Sequence, residues 1–326
     1  AGQVGRGIMS STSKEGVSSK PGFGSFNSGN VEEIIKDPNF VPPPIPRDII
    51  RHDEFDCFKR RSLGHEMKDL FLLDRNWTFV NHGAFGAPFS LIVDIAQRWR
   101  VYTERQPLRF IDRELFPRVV GVIKKFASFL NCRPEDLVLL QNATTGLNCV
   151  LESFPLSAQD KVLFFDCTYA SVKKMIRKVC KDKNAVPVEA KLKLKEMKGS
   201  EDILAQVEAA IPEGCKLVVI DHVTSNEALL FPIDELVEIC HKKDALVLID
   251  GAHGLGSCPL DLERTGADFY VGNCHKWFCA PRGVAFLHVN HSNLSKMSPV
   301  KRQKIEKEEE KKEEEKKEEE KKEEEK

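Results

Sequence analysis

Between about residue 90 and residue 290 the chain repeatedly sets a short, almost unbroken apolar run against a stretch of helical periodicity. Runs with no polar face suit strands covered on both sides, and the helical stretches supply the cover. The alternation restricts the fold to the α/β class: βαβ units on a mainly parallel sheet, in three layers, α/β/α. The spacing predicts strands over Leu137–Leu140, Lys161–Phe165, Leu217–Ile220, Ala245–Ile249, Phe269–Val271 and Val284–His288. It predicts helices over Leu91–Tyr102, Phe116–Leu130, Gly146–Phe154, Ser171–Cys180, Ser200–Ala210 and Ile233–Lys243, with a short one near Leu260–Arg264. Sheets of this kind bind ligands outside the carboxyl ends of their strands. The residues that follow each apolar run are therefore where chemistry is to be sought.

After Leu140 comes Gln141-Asn142-Ala143-Thr144-Thr145-Gly146, opening a helix. Hydroxyls and free N–H groups there suit a phosphate at the positive end of the helix dipole, while Asn142 or Thr144 equally suits an ordinary N-cap. Phe165 leads into Asp166-Cys167-Thr168-Tyr169, where Tyr169 is placed to lie on a planar heteroaromatic ring or to fill core space. The next two runs end in Asp221-His222-Val223-Thr224-Ser225-Asn226 and Asp250-Gly251-Ala252-His253. His253 and His275 each suit a ligand hydrogen bond or a structural role.

Lys276 sits in Gly272-Asn273-Cys274-His275-Lys276-Trp277-Phe278, 26 positions after Asp250. Either residue alone reads as a solvated lysine or a helix cap. Together, at successive strand ends, they suit pyridoxal 5′-phosphate. An amine that condenses with the cofactor aldehyde must lose its proton near neutral pH, and a carboxylate must keep the pyridine nitrogen protonated. Lys276 and Asp250 are the candidates for these two tasks.

Composition removes other classes. The chain has 49 basic and 50 acidic residues, a net charge of −1, so bulk electrostatics offers nothing to nucleic acid. No apolar run reaches the roughly 18 residues of a membrane span. Ten Cys are scattered through apolar patterns with no Cys-x-x-Cys, which fits neither a disulfide framework nor a zinc site; Cys274 and Cys279 beside Lys276 have no second pair. Residues 1–30 are rich in Gly and Ser and poor in large apolar groups, and are expected to be disordered, with the leader assigned to residues 1–50. A disordered cytoplasmic leader is the expectation, and the Ser content with Arg6, Lys14 and Lys20 against only Glu15 gives a mitochondrial transit segment as the second reading. From Glu306 onward only Glu and Lys occur, and residues 301–326 hold eleven Lys or Arg and thirteen Glu. A solvated low-complexity tail, assigned to residues 291–326, is the expectation.

These motifs resemble the class V aminotransferase superfamily of fold type I pyridoxal-phosphate enzymes. The resemblance runs through Asn81-His82-Gly83, Asn142-Ala143-Thr144-Thr145-Gly146, Asp250-Gly251-Ala252-His253 and His275-Lys276. Asp221-His222-Val223-Thr224-Ser225 with Ala228-Leu229-Leu230-Phe231-Pro232, and Ala280-Pro281-Arg282-Gly283, are most similar to the isopenicillin N epimerase-like branch. The resemblance implies that Lys276 carries the cofactor as an internal aldimine, that Asp250 pairs with the pyridine nitrogen and that Tyr169 stacks on the ring. It implies phosphate contacts from Thr144 and Thr145 with His275 and Asn273 nearby, His253 and Ser225 on the phenolic side, and Asn81, His82 and Gly83 toward substrate. It further implies an enzyme acting on an amino acid through an external aldimine and α-proton abstraction, as an epimerase, C–S lyase or transaminase, in a homodimer with the site at its interface. Residues 51–90 would contribute to a small domain and an active-site loop, and 91–290 would form the cofactor-binding domain.

Two departures accompany the resemblance. Ser225 stands where desulfurases of this superfamily usually carry Asn, and the charged tail begins where their nucleophilic Cys loop and the small domain with its carboxylate-binding Arg would follow. A truncated, catalytically impaired cofactor-binding or partner-binding homologue is therefore the alternative expectation. A dinucleotide-binding dehydrogenase also suits the alternation, but no predicted strand is followed by Gly-x-Gly-x-x-Gly.

Overall fold

The computed structural model describes residues 31–295 apart from residue 60, together with Met297. The leader expected over residues 1–30 and the Lys/Glu tail from residue 298 lie outside the described residues. Seven strands form one sheet: β1 (Leu137–Leu140), β2 (Lys161–Phe165), β3 (Val186–Ala190), β4 (Cys215–Asp221), β5 (Leu246–Gly251), β6 (Phe269–Asn273) and β7 (Ala285–Val289). Their order across the sheet is β1-β7-β6-β5-β4-β2-β3. The run from β3 through β6 is parallel, and β7 lies antiparallel to both β6 and β1. A parallel return needs a crossover of a dozen or more residues, usually with a helix; residues 274–284 supply neither, so the chain comes back antiparallel.

Strand alternation divides the core. Val162, Phe164, Leu217, Val219, Leu248, Phe269 and Val271 pack with Leu147, Val150 and Leu151 of helix Ala143–Ser153 and with Val172, Ile176 and Val179 of helix Ala170–Asp182. Their strand neighbours Leu163, Phe165, Val218, Ile220, Val247, Ile249 and Tyr270 face Ala127 and Leu130 of Leu115–Leu130, Val207 of Ser200–Ala210 and Leu236 of Ile233–Lys242. Helices thus cover both faces, as the apolar runs require. Each such buried side chain contributes roughly 1.5–3 kcal/mol relative to exposure.

Strand β3 was not among the sequence expectations. Val186-Pro187-Val188-Glu189-Ala190 alternates half-buried with exposed residues and carries a proline, which an edge strand tolerates where a central one would lose a ladder hydrogen bond. Helix Ala143–Ser153 also begins three residues before the expected Gly146, because Asn142 caps it.

Residues 31–50, which the sequence reading assigns to the leader, are instead laid along helix Leu115–Leu130. Lys124 Nζ donates to the carbonyls of Ile35 and Asp37 at 2.7 and 2.6 Å, Arg118 Nη1 donates to those of Pro43 and Pro44, and Ile49 is buried. Pro42 occupies the space that Gly121 leaves open, where a Cβ would come within 2.6 Å. Proline supplies no N–H, so the carbonyls of Pro43 and Pro44 take their donor from Arg118, while Lys124 serves those of Ile35 and Asp37 ahead of the run. At the other end His291–Leu294 forms a single turn, and Asn293 Nδ2 donates to Asp268 Oδ1 at 2.7 Å. Among the described residues no helix is long and apolar enough to cross a membrane.

Candidate active site

The site follows from the period of two along the strands. Asp221 continues the face of Leu217 and Val219, Asp250 that of Leu248, and Asn273 that of Phe269 and Val271. All three polar side chains therefore emerge at the carboxyl edge, on the side of helix Ala143–Ser153. They are buried, at 4, 5 and 5 % exposure. Asn273 Oδ1 accepts from the Ala143 N–H at 2.9 Å, tying the helix N-terminus to the sheet edge.

Lys276 reaches the same place from the loop after β6. Asp250, Asn273, His275 and Lys276 line a cavity of about 380 Å³ together with Asn142, Thr144, Tyr169, Asp221, Ser225, His253 and Gly83. A neighbouring cavity of about 560 Å³ is lined by Asn81, Thr224, Ser257, Cys258 and Trp277, and shares Gly83, Ala84, Ser225 and His253 with the first. Gly86 brings the Asn81–Phe85 turn onto the lysine loop: its φ is +71°, and a Cβ there would sit 1.6 Å from the His275 carbonyl oxygen. A third cavity, of about 520 Å³, lies between the proline run and Trp99 and Phe110, is mostly apolar, and shares no residue with these two.

The protonation of the central groups follows from their contacts. Trp277 Nε1 donates to His253 Nδ1 at 3.2 Å, and His253 Nε2 lies 3.2 Å from Lys276 Nζ. An indole only donates, so Nδ1 is the acceptor and the neutral imidazole carries its proton on Nε2. That N–H is aimed at Lys276, whose amine must then offer a lone pair. Burial points the same way. It lowers the Lys276 pKa against the pull of Asp250, and it lowers that of His253 to about 4, assisted by the charge on Lys276. Burial raises Asp250 above the ordinary carboxylate range, opposed by the N–H of Ala252 at 3.0 Å and by Lys276.

The sequence candidates are distributed unevenly around these cavities. Lys276, Asp250, His253, Thr144, Tyr169, Ser225, His275, Asn273 and Gly83 line the smaller one, and Asn81 the larger. Tyr169 is 47 % exposed, so its ring is accessible from the cavity. His275 Nδ1 is 2.9 Å from the Val284 carbonyl and so carries the proton. Thr145 is not among the lining residues: its N–H and hydroxyl both donate to Asn142 Oδ1, at 2.8 and 3.1 Å. His82 is also set back, packed among Phe71, Phe79 and Trp277 with its Nδ1 buried and without a partner among the described residues. Asp221 and Trp277 line the cavities without having been assigned a part, and Asn142, read as a candidate N-cap, both caps the helix and lines the smaller cavity. For Asp221 a signal was available, since it ends the apolar run immediately before the one ended by Asp250.

Residues 117–323 match the aminotransferase class-V family, and the chain belongs to that family. Among its relatives are the probable chloroplastic L-cysteine desulfhydrase of Arabidopsis thaliana and the isopenicillin N epimerase of Amycolatopsis lactamdurans. The first is 32 % identical over 68 % of this chain and 49 % of its own length; the second is 30 % identical over 66 % and 54 %. A solved C-DES mutant with glycine covalently linked to the PLP cofactor shares the fold at a TM-score of 0.64, with 22 % identity over 69 % of this chain and 60 % of that one. The chain spans about half the length of the curated relatives it matches. Pyridoxal 5′-phosphate is the cofactor of the family, and the residues present fit it. The cavity offers an amine whose pKa burial lowers, a buried acid, an accessible aromatic ring and a helix N-terminus.

Proposed function

We propose that this chain is a pyridoxal-phosphate enzyme that removes the α-proton of an amino acid and expels a sulfur group from its β-carbon, a C–S lyase. The observation that carries this reading is the Trp277–His253–Lys276 chain, which leaves Lys276 an unprotonated amine facing the cavity above Asp250. Bound cofactor supplies an aldehyde for the amine and an electron sink for the α-carbon.

The chain's own residues do the rest. Lys276 would hold the aldehyde and, when free, serve as the base for the α-proton, with the His253 N–H beside it. Asp250 would hold the pyridine nitrogen and Tyr169 the ring. Thr144, Asn273 and His275 would hold the phosphate at the helix N-terminus, where dipole and N–H groups favour an anion. Ser225 and His253 would hold the phenolic side. Asn81 and Gly83 bound the larger cavity, which takes the substrate side chain. Elimination of sulfur is favoured over epimerisation because four relatives at 30–35 % identity are named as cysteine desulfhydrases or probable or putative ones. Exposed Phe85 lining the smaller cavity, with exposed Trp77 and Val80 shortly before it in the chain, at 73, 74 and 80 %, supports a homodimer closing over the site.

The test is a visible spectrum after incubation with pyridoxal 5′-phosphate, then borohydride reduction and peptide mapping. A visible band with the reduced adduct on Lys276, absent in Lys276→Ala, is expected. Cysteine should then yield hydrogen sulfide and pyruvate; exchange of the α-hydrogen with inversion and no sulfide would favour the epimerase instead. A folded protein with no band would make the chain a partner-binding homologue without turnover.

A further inference from the structure

Asp221 and Asp250 are Cα partners in register on adjacent parallel strands, so their side chains leave the sheet side by side on one face. Both line the cavity. The Thr168 hydroxyl and the Tyr169 N–H favour the charged form of Asp221, against its burial, while Oδ2 is buried with no partner among the described residues. Facing Asp221 are Asp250 from β5, Glu227 from the segment after β4, Cys167 and Tyr169 from the turn after β2, and Lys276 and His253 across the cavity. Of these the one basic amine is Lys276, and its charge opposes the rise that burial causes at Asp250.

We propose that Asp221 is a positioning acid that keeps its proton, and so leaves Asp250 as the single anion at the nitrogen-binding end of the cavity. The proposal rests on the reading of this cavity as a pyridoxal-phosphate site. Two carboxylates this close in a buried place do not both ionise, so the pair retains one proton. The surroundings decide which acid has it. Asp250 accepts the Ala252 N–H and lies in the field of Lys276, both of which favour its charged form. An ionised Asp221 would leave a buried carboxylate oxygen without a donor, whereas the protonated acid turns that oxygen into an O–H facing the cavity. Burial and the neighbouring Asp250 both raise Asp221 well above the carboxylate range. With a proton fixed there, Asp250 has no second acid to share its charge with, and remains a full acceptor for a ring N–H.

The experiment is carbon-13 NMR of aspartate carboxyls in the cofactor-free protein across a pH titration, in wild type, Asp221→Asn and Asp250→Asn. One carboxyl is expected to titrate far above the usual value of about 4, to be missing in Asp221→Asn and to shift back toward that value in Asp250→Asn. Asp221→Asn loaded with pyridoxal 5′-phosphate should bind within about threefold of wild type, because an amide N–H replaces the O–H, and its visible band should lose one step of its pH profile. Asp250→Asn should weaken binding by tenfold or more. Ordinary titration of every aspartate in the wild type overturns the proposal even if neither variant folds. So does survival in Asp221→Asn of the carboxyl that titrates highest in the wild type, above those of Asp250 and Asp136, which burial also raises. A high-titrating Asp221 in a protein that forms no adduct on Lys276 supports the shared proton and counts against the cofactor reading alone.

Discussion

Trp277 donates its indole N–H to Nδ1 of His253 at 3.2 Å, and that single contact decides that the nitrogen facing Lys276 is the one carrying the proton. Replacing Trp277 by Phe keeps a ring in place and removes the donor, so His253 can present a bare Nε2 and accept from a protonated Lys276. At about 0.5–1.5 kcal/mol for a lost hydrogen bond, neutral-pH labelling of Lys276 by an amine reagent in the cofactor-free protein should slow by roughly two- to tenfold. Mass-spectrometric rates at Lys276 check this; unchanged rates would remove the indole from the account.

Gly86 should tolerate no side chain. Alanine there must adopt a φ of +71° and place its Cβ 1.6 Å from the His275 carbonyl oxygen, so the turn carrying Asn81 has to lift from the lysine loop. We expect Gly86→Ala to lower thermal stability by more than about 1 kcal/mol and to weaken cofactor binding. Calorimetry beside cofactor titration separates these effects.

The protein should lose stability on acidification above the carboxylate range. Burial holds His222, His253 and His288 at about 4, against 6.5 for the free side chain. Between those values the unfolded chain binds more protons than the folded one, so stability rises with pH through the window and falls as pH drops from about 6.5 toward 4. The slope per histidine is at most about 1.4 kcal/mol per pH unit. Denaturant midpoints across this range check it. His288→Gln should flatten the profile, since His288 is buried in β7 with Nδ1 unpartnered among the described residues.

Tyr270→Phe removes the hydroxyl that lies 2.8 Å from His222 Nδ1 beneath the Gly251–Gly254 turn. A buried ring nitrogen is left alone, so a loss of about 1–3 kcal/mol is expected, read by chemical denaturation.

The apolar strands were legible because burial on both faces writes itself into consecutive residues, as in Val247-Leu248-Ile249. Val186–Ala190 was not, because an edge strand with Pro187 and Glu189 carries neither that run nor a strict alternation of strong apolar residues. Lys276, Asp250 and His253 were legible as a set because each follows a strand and the strands are ordered. Thr145 and Thr144 looked equivalent in sequence, and only the helix start at Asn142 separates them, turning one hydroxyl to the cap and leaving the other at the cavity. His82 is withdrawn by three aromatic neighbours that are distant or unmarked in the sequence. Asp221 was legible as the end of an apolar run, but its place beside Asp250 needed the pairing of β4 with β5.

The segment bearing Lys276 leaves the sheet at Asn273 and re-enters it at Ala285, and those two residues are themselves paired across β6 and β7. The backbone N–H groups of Cys274 and His275 both reach the Val284 carbonyl, at 3.0 and 3.3 Å, so the loop is cinched at its base. Its length therefore acts as a ruler. Adding or deleting one residue would either break the cinch or slip β7 by one place, which would turn Phe286 and Leu287 to opposite sides of the sheet. Substitutions along residues 277–283 can be absorbed locally, but a change of count has to be answered by both layers of the core.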